Sequence, residues 1–289
     1  MTGGFHDWIE VQRTRPPAPT PWWYATFIFG LFTALFSVHL GQVFPAEAAA
    51  MHPGYGTPVL ALEFARNEAD LFAIFGAEGD PMQVARLAAM RLGNEQDYIF
   101  MLLYGIFLAS GCYGLWRELR LRWLLAAVAL PVVAALCDAY ENWLLLDIQA
   151  AFTLGDYSPV MASLPYPVAA KFLALTLTNV AIGYAMMQMG RWWQFAGTLI
   201  LIPCLATIMA LIAPAAFGWT LTAAIGAGWF GLLVMAAIGS WFALGRNQPL
   251  VDFEPDAPRR REAVSAEPEV SLAPDRRRHF GRRGDDRGI

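Results

Sequence analysis

Three hydrogen-bonding side chains, Asp138, Glu141 and Asn142, interrupt the apolar stretch LAAVALPVVAALCDAYENWLLL. An α-helix turns by about 100° per residue, so all three would lie on one stripe of a single helix. A carboxylate at the centre of a bilayer costs about 2.5–3.5 kcal/mol on insertion scales, and such residues usually face a bundle interior or a wet cavity. Two carboxyls one turn apart in a low dielectric do not both ionise easily. The stripe is therefore typical of a proton-binding pair, a cation site, or a clamp for an amine or lipid headgroup.

A second interpretation gives the same stripe a structural role. Hydrogen bonds between polar side chains also hold transmembrane helices together, and Asp138, Glu141 and Asn142 could serve only that purpose. Pro131 lies on the same stripe and frees a backbone carbonyl about one turn earlier, which often marks a kink beside a cavity. An open cavity next to the stripe would favour a ligand site, whereas a sealed one would favour the structural role.

Lys171, the only lysine of the chain, is the expected counter-charge of these acids. It lies about four residues inside one end of its apolar stretch, and Glu141 lies about five residues inside the corresponding end of its own, so the two depths nearly match. We expect a Glu141–Lys171 ion pair with Asp138 deeper and protonated, and Asn179 could continue a polar track beyond Lys171. The alternative is that the Lys171 side chain extends to the membrane surface.

Asp97 and His39 are the other candidates. Asp97 closes the capping pattern of residues 94–97, so it is expected to cap the second apolar helix, or else to lie at the mouth of a cavity above Glu141. His39 is the only histidine in an apolar stretch, and one histidine cannot supply two axial haem ligands. We therefore predict no cofactor and no metal, with His39 hydrogen-bonded inside the bundle. A sparse metal site of His39 with Asp138 and Glu141 is the remaining alternative.

The rest of the chain indicates what positions these residues. Its 289 residues are 57% apolar and 15% charged, whereas soluble domains carry about 25% charged residues. Six stretches approach the length of about 20 residues that a helix needs to cross a bilayer, and they cover residues 22–44, 98–116, 123–146, 168–189, 196–217 and 220–244. We predict an all-α, polytopic membrane helix bundle. Residues 1–21 and 245–289 are expected to be disordered cytoplasmic segments.

The positions of the arginines predict the orientation of the bundle. Arginines are concentrated at alternate connections, at Arg13, Arg15, Arg117, Arg120, Arg122, Arg191 and from Arg246 onwards. Residues 147–167 contain none. The positive-inside rule then places both termini in the cytoplasm, and we expect a multi-pass protein of a bacterial inner membrane.

The long connection 45–97, expected on the outer side, contains three helix-like runs. VLALEFA follows Thr57-Pro58, LFAIF follows a capping pattern at residues 67–70, and VARLAAMRL follows residues 80–83, which resemble a capping box. We expect two or three short amphipathic helices that lie on the outer membrane face or cap the bundle.

The segments LEFARNEADLFAIFG, DYIF and LCDAYEN resemble a pattern in small bacterial polytopic inner-membrane proteins of unassigned function. The resemblance covers about residues 57–146 and implies neither a reaction nor a ligand. It implies that five polar residues belong to one unit: Glu63, Asp97, Asp138, Glu141 and Asn142.

Three functions follow as hypotheses. The first is binding of a proton, cation, amine or lipid headgroup at an intramembrane acidic pocket, as in a transporter or ligand-binding protein. The second is a structural or assembly subunit that contacts other membrane subunits. The third is an intramembrane enzyme acting on a lipid or isoprenoid, with the acid pair as general acid and base. No serine–histidine–acid set, HExxH motif or nucleotide signature occurs, and nothing indicates nucleic-acid binding.

Overall fold

The computed structural model describes residues 21–156 and 159–241. The expected amino-terminal arm, almost all of which precedes Pro21, and the expected carboxy-terminal tail lie outside the described residues. Within them every regular element is helical, and six helical segments are long and apolar enough to cross a membrane. The predicted all-α polytopic bundle is therefore confirmed.

Ten α-helices form the described part of the chain. In chain order they are α1 Pro21–Val43, α2 Pro58–Glu63, α3 Glu68–Phe75, α4 Gln83–Leu119, α5 Arg122–Ala127, α6 Ala129–Thr153, α7 Pro165–Met187, α8 Arg191–Ile212, α9 Pro214–Phe217 and α10 Trp219–Trp241. The third crossing combines α5 and α6, which are interrupted at Val128. Pro131 explains this interruption, because it cannot donate a backbone hydrogen bond to the carbonyl one turn earlier.

The six crossings pack in a closed ring in chain order. Helix α1 contacts α4, α4 contacts α6, α6 contacts α7, α7 contacts α8, α8 contacts α10, and α10 returns to α1. Tyr24 at the start of α1 packs on Trp241 at the end of α10, and Trp123 at the start of α5 packs on Tyr184 near the end of α7. We call this side of the bundle the termini end and the opposite side, where residues 45–82 connect α1 to α4, the loop end.

Helix α4 is longer than the sequence suggested. It begins at Gln83, so the run VARLAAMRL continues directly into the second crossing instead of forming a separate helix. Gly93 lies within α4 and allows the close approach of Phe44, because a Cβ at this position would clash with the Phe44 ring. The expected capping box at residues 80–83 is also wrong. No side chain of the described residues caps α4, and Asp80 instead accepts hydrogen bonds from Met82 N and the Arg86 guanidinium.

Helices α2 and α3 cap the bundle at the loop end. Thr57 caps α2 by accepting a hydrogen bond from Leu60 N, and Asn67 with Asp70 forms the predicted capping box of α3. Five of the six residues of α2 are buried, which a helix lying flat on the membrane face would not show. The burial of α2 carries the carboxyl group of Glu63, its last residue, into the interior.

Candidate functional site

Lys171 is surrounded by three carboxyl groups inside the bundle. Its Nζ lies 2.7 Å from Glu141 Oε1, 3.1 Å from Asp138 Oδ1 and 3.2 Å from Glu63 Oε1. Lys171 is 5% exposed and Glu141 is fully buried. The predicted Glu141–Lys171 contact is therefore confirmed, but Lys171 shares its charge among three acids. We call these four residues the Lys171 cluster.

Three helices supply the cluster. Glu63 ends α2, Asp138 and Glu141 lie one turn apart on α6, and Lys171 lies in the second turn of α7. Because residues three apart on a helix share a face, the Asp138–Glu141 spacing directs both carboxyls toward α7. Asp138 lies one turn deeper than Glu141 on α6, as expected, and it also contacts Lys171 directly.

Tyr104 of α4 extends the cluster. Its hydroxyl donates a hydrogen bond of 2.8 Å to Asp138 Oδ2, so both oxygens of that carboxyl have partners. The Tyr104 ring packs against Trp229 of α10 at a centroid distance of 5.3 Å. On the other side, Lys171 Nζ lies 4.7 Å from the centre of the Phe172 ring. Aromatic faces stabilise a nearby ammonium group and fix its position.

Asn142 links the cluster to the loop-end half of α4. Its amide donates to the backbone oxygen of Asn94 at 3.1 Å and to Asp97 Oδ2 at 2.9 Å. Asp97 lies about four turns inside α4, so its expected role as a helix cap is wrong. Asp97 is a fourth acid near the cluster, because it binds Asn142, the residue that follows Glu141. The five residues that the resemblance groups together therefore lie in one connected region.

Several polar atoms here have no hydrogen-bond partner among the described residues. They are Glu63 Oε2, Glu141 Oε2 and both side-chain polar atoms of Asn94, and all are buried. Buried polar atoms in folded proteins are almost always hydrogen-bonded, and an unpaired charged oxygen is especially costly. A protonated carboxyl lowers this cost, because it carries no charge and can itself donate a hydrogen bond.

The charges of the cluster do not balance. One ammonium group faces three carboxyl groups, so full ionisation would leave a net charge of −2 in a site that is almost closed to solvent. Burial raises the pKa of Glu63, Lys171 opposes that rise, and the negative charge of Asp138 adds to it; burial prevails. Glu63 thus favours the protonated form more than an exposed glutamate does.

Two predicted residues lie away from the cluster. The amide of Asn179 donates to the backbone oxygens of Ala224 and Ile225, so it joins α7 to α10 and does not continue a track from Lys171. His39 is exposed and bonds to Gln96 at 2.8 Å, so its expected position inside the bundle is wrong. Neither residue has a described contact with the four members of the cluster.

Glu63 and Tyr104 belong to the site, but the spacing of polar residues in the sequence did not indicate either of them. A single acid within the apolar run VLALEFA was the available signal for Glu63, since such a residue is buried with its helix unless the helix lies on a surface. Tyr104 is one of many aromatic residues in the crossings and carries no distinguishing pattern.

The arrangement of the Lys171 cluster disfavours binding of an inorganic cation and permits uptake and release of protons. Lys171 occupies the centre of the carboxyl groups, where an inorganic cation would otherwise be ligated. The carboxyl groups can take up or release protons while Lys171 remains as a fixed positive charge. Proton exchange is therefore a reaction that this arrangement permits without rearrangement of the side chains.

Comparison with known proteins finds no match for this chain. No family model matches it, and no curated protein or solved structure is significantly similar to it. The family resemblance of the residues around Glu63, Asp97 and Glu141 therefore stays a prediction, and function has to be inferred from the geometry of the site.

Proposed function

We propose that this protein is a multi-pass protein of a bacterial inner membrane that binds and releases protons at the Lys171 cluster. The supporting observation is the single ammonium group facing three carboxyl groups in a buried site. A net charge of −2 in a low-dielectric interior is strongly unfavourable, and protonation is the change that removes it with the least movement.

Protons fit this site better than the other ligands of the same hypothesis. A cation or an amine would have to replace the Lys171 ammonium, which already contacts Glu63, Asp138 and Glu141 at 2.7–3.2 Å. A lipid headgroup would need an opening, whereas Lys171 is 5% and Glu141 0% exposed. A proton needs neither displacement nor space.

The arginine distribution supports an outward-facing position for the cluster. Arg117, Arg120, Arg122 and Arg191 all lie at the termini end, which the positive-inside rule assigns to the cytoplasm. Lys171 lies near the opposite end of α7 and contacts Glu63 of the loop-end helix α2. Proton exchange would therefore take place with the outer side, past Glu63 and the partly exposed Asp97.

Infrared spectroscopy of the purified protein in lipid tests this proposal. Acidification should increase the carbonyl band of protonated carboxyl groups, and part of that increase should be lost in Asp138→Asn and in Glu141→Gln. Glu95→Gln is the matched control, because Glu95 lies on α4 two residues from Asp97 and its carboxyl group is exposed. If the triple variant Glu63→Gln/Asp138→Asn/Glu141→Gln keeps the whole wild-type signal while folded, the proposal is wrong.

The second candidate is a purely structural role, in which the ion network of the Lys171 cluster holds the helices together. The closure of the site favours it, because the network joins α2, α4, α6 and α7 and is nearly inaccessible to solvent. A structural subunit would lose partner co-purification in the triple variant and would show no pH-dependent carboxyl band in the wild type. The enzyme hypothesis needs a substrate-sized cavity at the acids, whereas the apolar cleft beside α7 is lined from Leu177 to Tyr184, about 9 to 20 Å from Lys171 along the helix.

A further inference from the structure

The bundle has a large apolar cleft at its termini end, between the third and fourth crossings. Its volume is about 530 Å³, and its walls come from α5, the start of α6 and the second half of α7. This volume lies within the range of about 300–1,000 Å³ that is usual for ligand pockets. The cleft is therefore large enough for part of a hydrocarbon chain.

Small side chains create this space. Ala126 and Ala127 on one side and Ala181 on the other line the cleft where larger residues would fill it. Trp123 and Tyr184 lie at its termini end with ring centroids 5.6 Å apart, and both are partly exposed. Aromatic residues with one polar atom are typical of the headgroup level of a membrane, where they contact both chains and headgroups.

Positive charge is concentrated beside the same end of the cleft. Arg122 directly precedes Trp123 at the start of α5, Arg120 precedes it in the loop, and Arg191 begins the next crossing after Tyr184. All three are exposed, and none has an ion-pair partner within residues 21–156 and 159–241. Basic pockets between transmembrane helices are suited to anionic lipid headgroups.

We propose that this cleft binds an anionic phospholipid, with one acyl chain against Ala126 and Ala181 and the phosphate near Arg120 and Arg122. The apolar walls match the chain, and the arginines match the negative charge of the headgroup. A zwitterionic lipid with the same chains would fill the cleft equally well but would lack the net charge that the arginines attract. The site is separate from the Lys171 cluster and does not depend on proton binding.

Native mass spectrometry of the full-length protein with phosphatidylglycerol and phosphatidylcholine of identical chains tests the proposal. The wild type should retain phosphatidylglycerol preferentially, and Arg120→Gln and Arg122→Gln should each reduce that preference about five-fold. Arg91→Gln is the matched control, because Arg91 is exposed at the loop end. Equal retention of the two lipids by the wild type, or an unchanged preference in the double arginine variant, would overturn the proposal.

A second variant tests the chain-binding half of the cleft. Ala126→Trp should fill the cleft from an exposed position and reduce retention of both lipids, whereas Ala129→Trp, exposed but outside the cleft lining, should not. Retention in Ala126→Trp equal to that in the wild type would contradict the proposed binding place. Should Ala126→Trp fail to fold, the exposed arginine variants still decide the question.

Discussion

Lys171 Nζ lies 2.7 Å from Glu141 Oε1, and this contact joins the neighbouring crossings formed by α6 and α7. The pair is not exclusive, because Asp138 and Glu63 approach the same ammonium group within 3.2 Å. The consequence is an excess of carboxyl groups over positive charge, which distinguishes this site from a simple buried ion pair.

Exchanging the two charges should fail to restore stability. In Glu141→Lys/Lys171→Glu, the carboxylate introduced on α7 would face Glu63 and Asp138, and like charges would repel in a low dielectric. We expect the exchanged protein to remain about 3 kcal/mol or more less stable than the wild type, as measured by reversible unfolding in detergent or lipid. The exposed pair Arg91 and Glu95 provides the control, and its exchange should change stability by less than about 1 kcal/mol. Full recovery of stability in Glu141→Lys/Lys171→Glu would show that Glu63 and Asp138 do not influence the ion pair.

Removing Lys171 should destabilise the protein more than removing the whole cluster. Lys171→Met leaves three carboxyl groups without a counter-charge, and breaking a buried ion pair in this way costs about 3–5 kcal/mol. Neutralising Glu63, Asp138 and Glu141 in the same background should recover part of that loss. Unfolding measurements on both variants check this, and a further loss in the combined variant would contradict the charge-excess interpretation.

Tyr104→Phe isolates the hydrogen bond to Asp138. The ring remains to pack against Trp229, but the hydroxyl that donates to Asp138 Oδ2 is lost. Hydrogen bonds to charged groups contribute about 1.5–3 kcal/mol, so a decrease of that size is expected in the free energy of unfolding. Tyr98→Phe is the control, since the Tyr98 hydroxyl makes an exposed bond of 3.3 Å to Ala139 O. If Tyr104→Phe and Tyr98→Phe lower the free energy of unfolding equally, the hydrogen bond from Tyr104 to Asp138 has no special importance for stability.

The buried carboxyl group of Glu63 should make the stability of the protein decrease as pH rises. Its pKa is raised in the folded protein by burial, so the folded state binds more protons than the unfolded state between the usual glutamate pKa and the raised one. The stabilisation that Glu63 contributes is fully present below the usual pKa of glutamate. It is lost as pH rises through the raised pKa of Glu63 in the folded protein. Glu63→Gln should therefore flatten the decrease in unfolding temperature across that interval. Glu78→Gln, at an exposed loop position, should leave the decrease unchanged.

The crossings were predictable from the sequence because a bilayer imposes length and apolarity on each helix separately. The third crossing was expected at residues 123–146 and the structure has it at Arg122–Thr153. The contact of Glu141 with Lys171 was also predictable, since depth along two neighbouring helices follows from residue counts. These features depend on local sequence and on a constant rise per residue.

Other features depend on packing between distant segments, which local patterns do not specify. The capping pattern at residues 94–97 indicated a helix start, but these residues lie inside α4, where Gly93 packs against Phe44 and the backbone oxygen of Asn94 accepts from Asn142. Glu63 joined the site because α2 is buried, whereas an amphipathic pattern is equally compatible with a helix on the membrane face. His39 was misplaced because a histidine in an apolar stretch gives no direction for its side chain.

The single lysine of the chain permits the most direct test of the proton-binding site. Protein labelled with ¹⁵N-lysine contains one side-chain nitrogen signal, that of Lys171 Nζ, and its chemical shift reports both the charge of the nitrogen and the charge of its surroundings. We expect a charged ammonium signal that shifts with pH as the surrounding carboxyl groups bind protons, and that loses this shift in Glu63→Gln/Asp138→Asn/Glu141→Gln. A neutral amine signal, or an ammonium signal that does not change with pH in the folded wild type, would contradict proton binding by the Lys171 cluster.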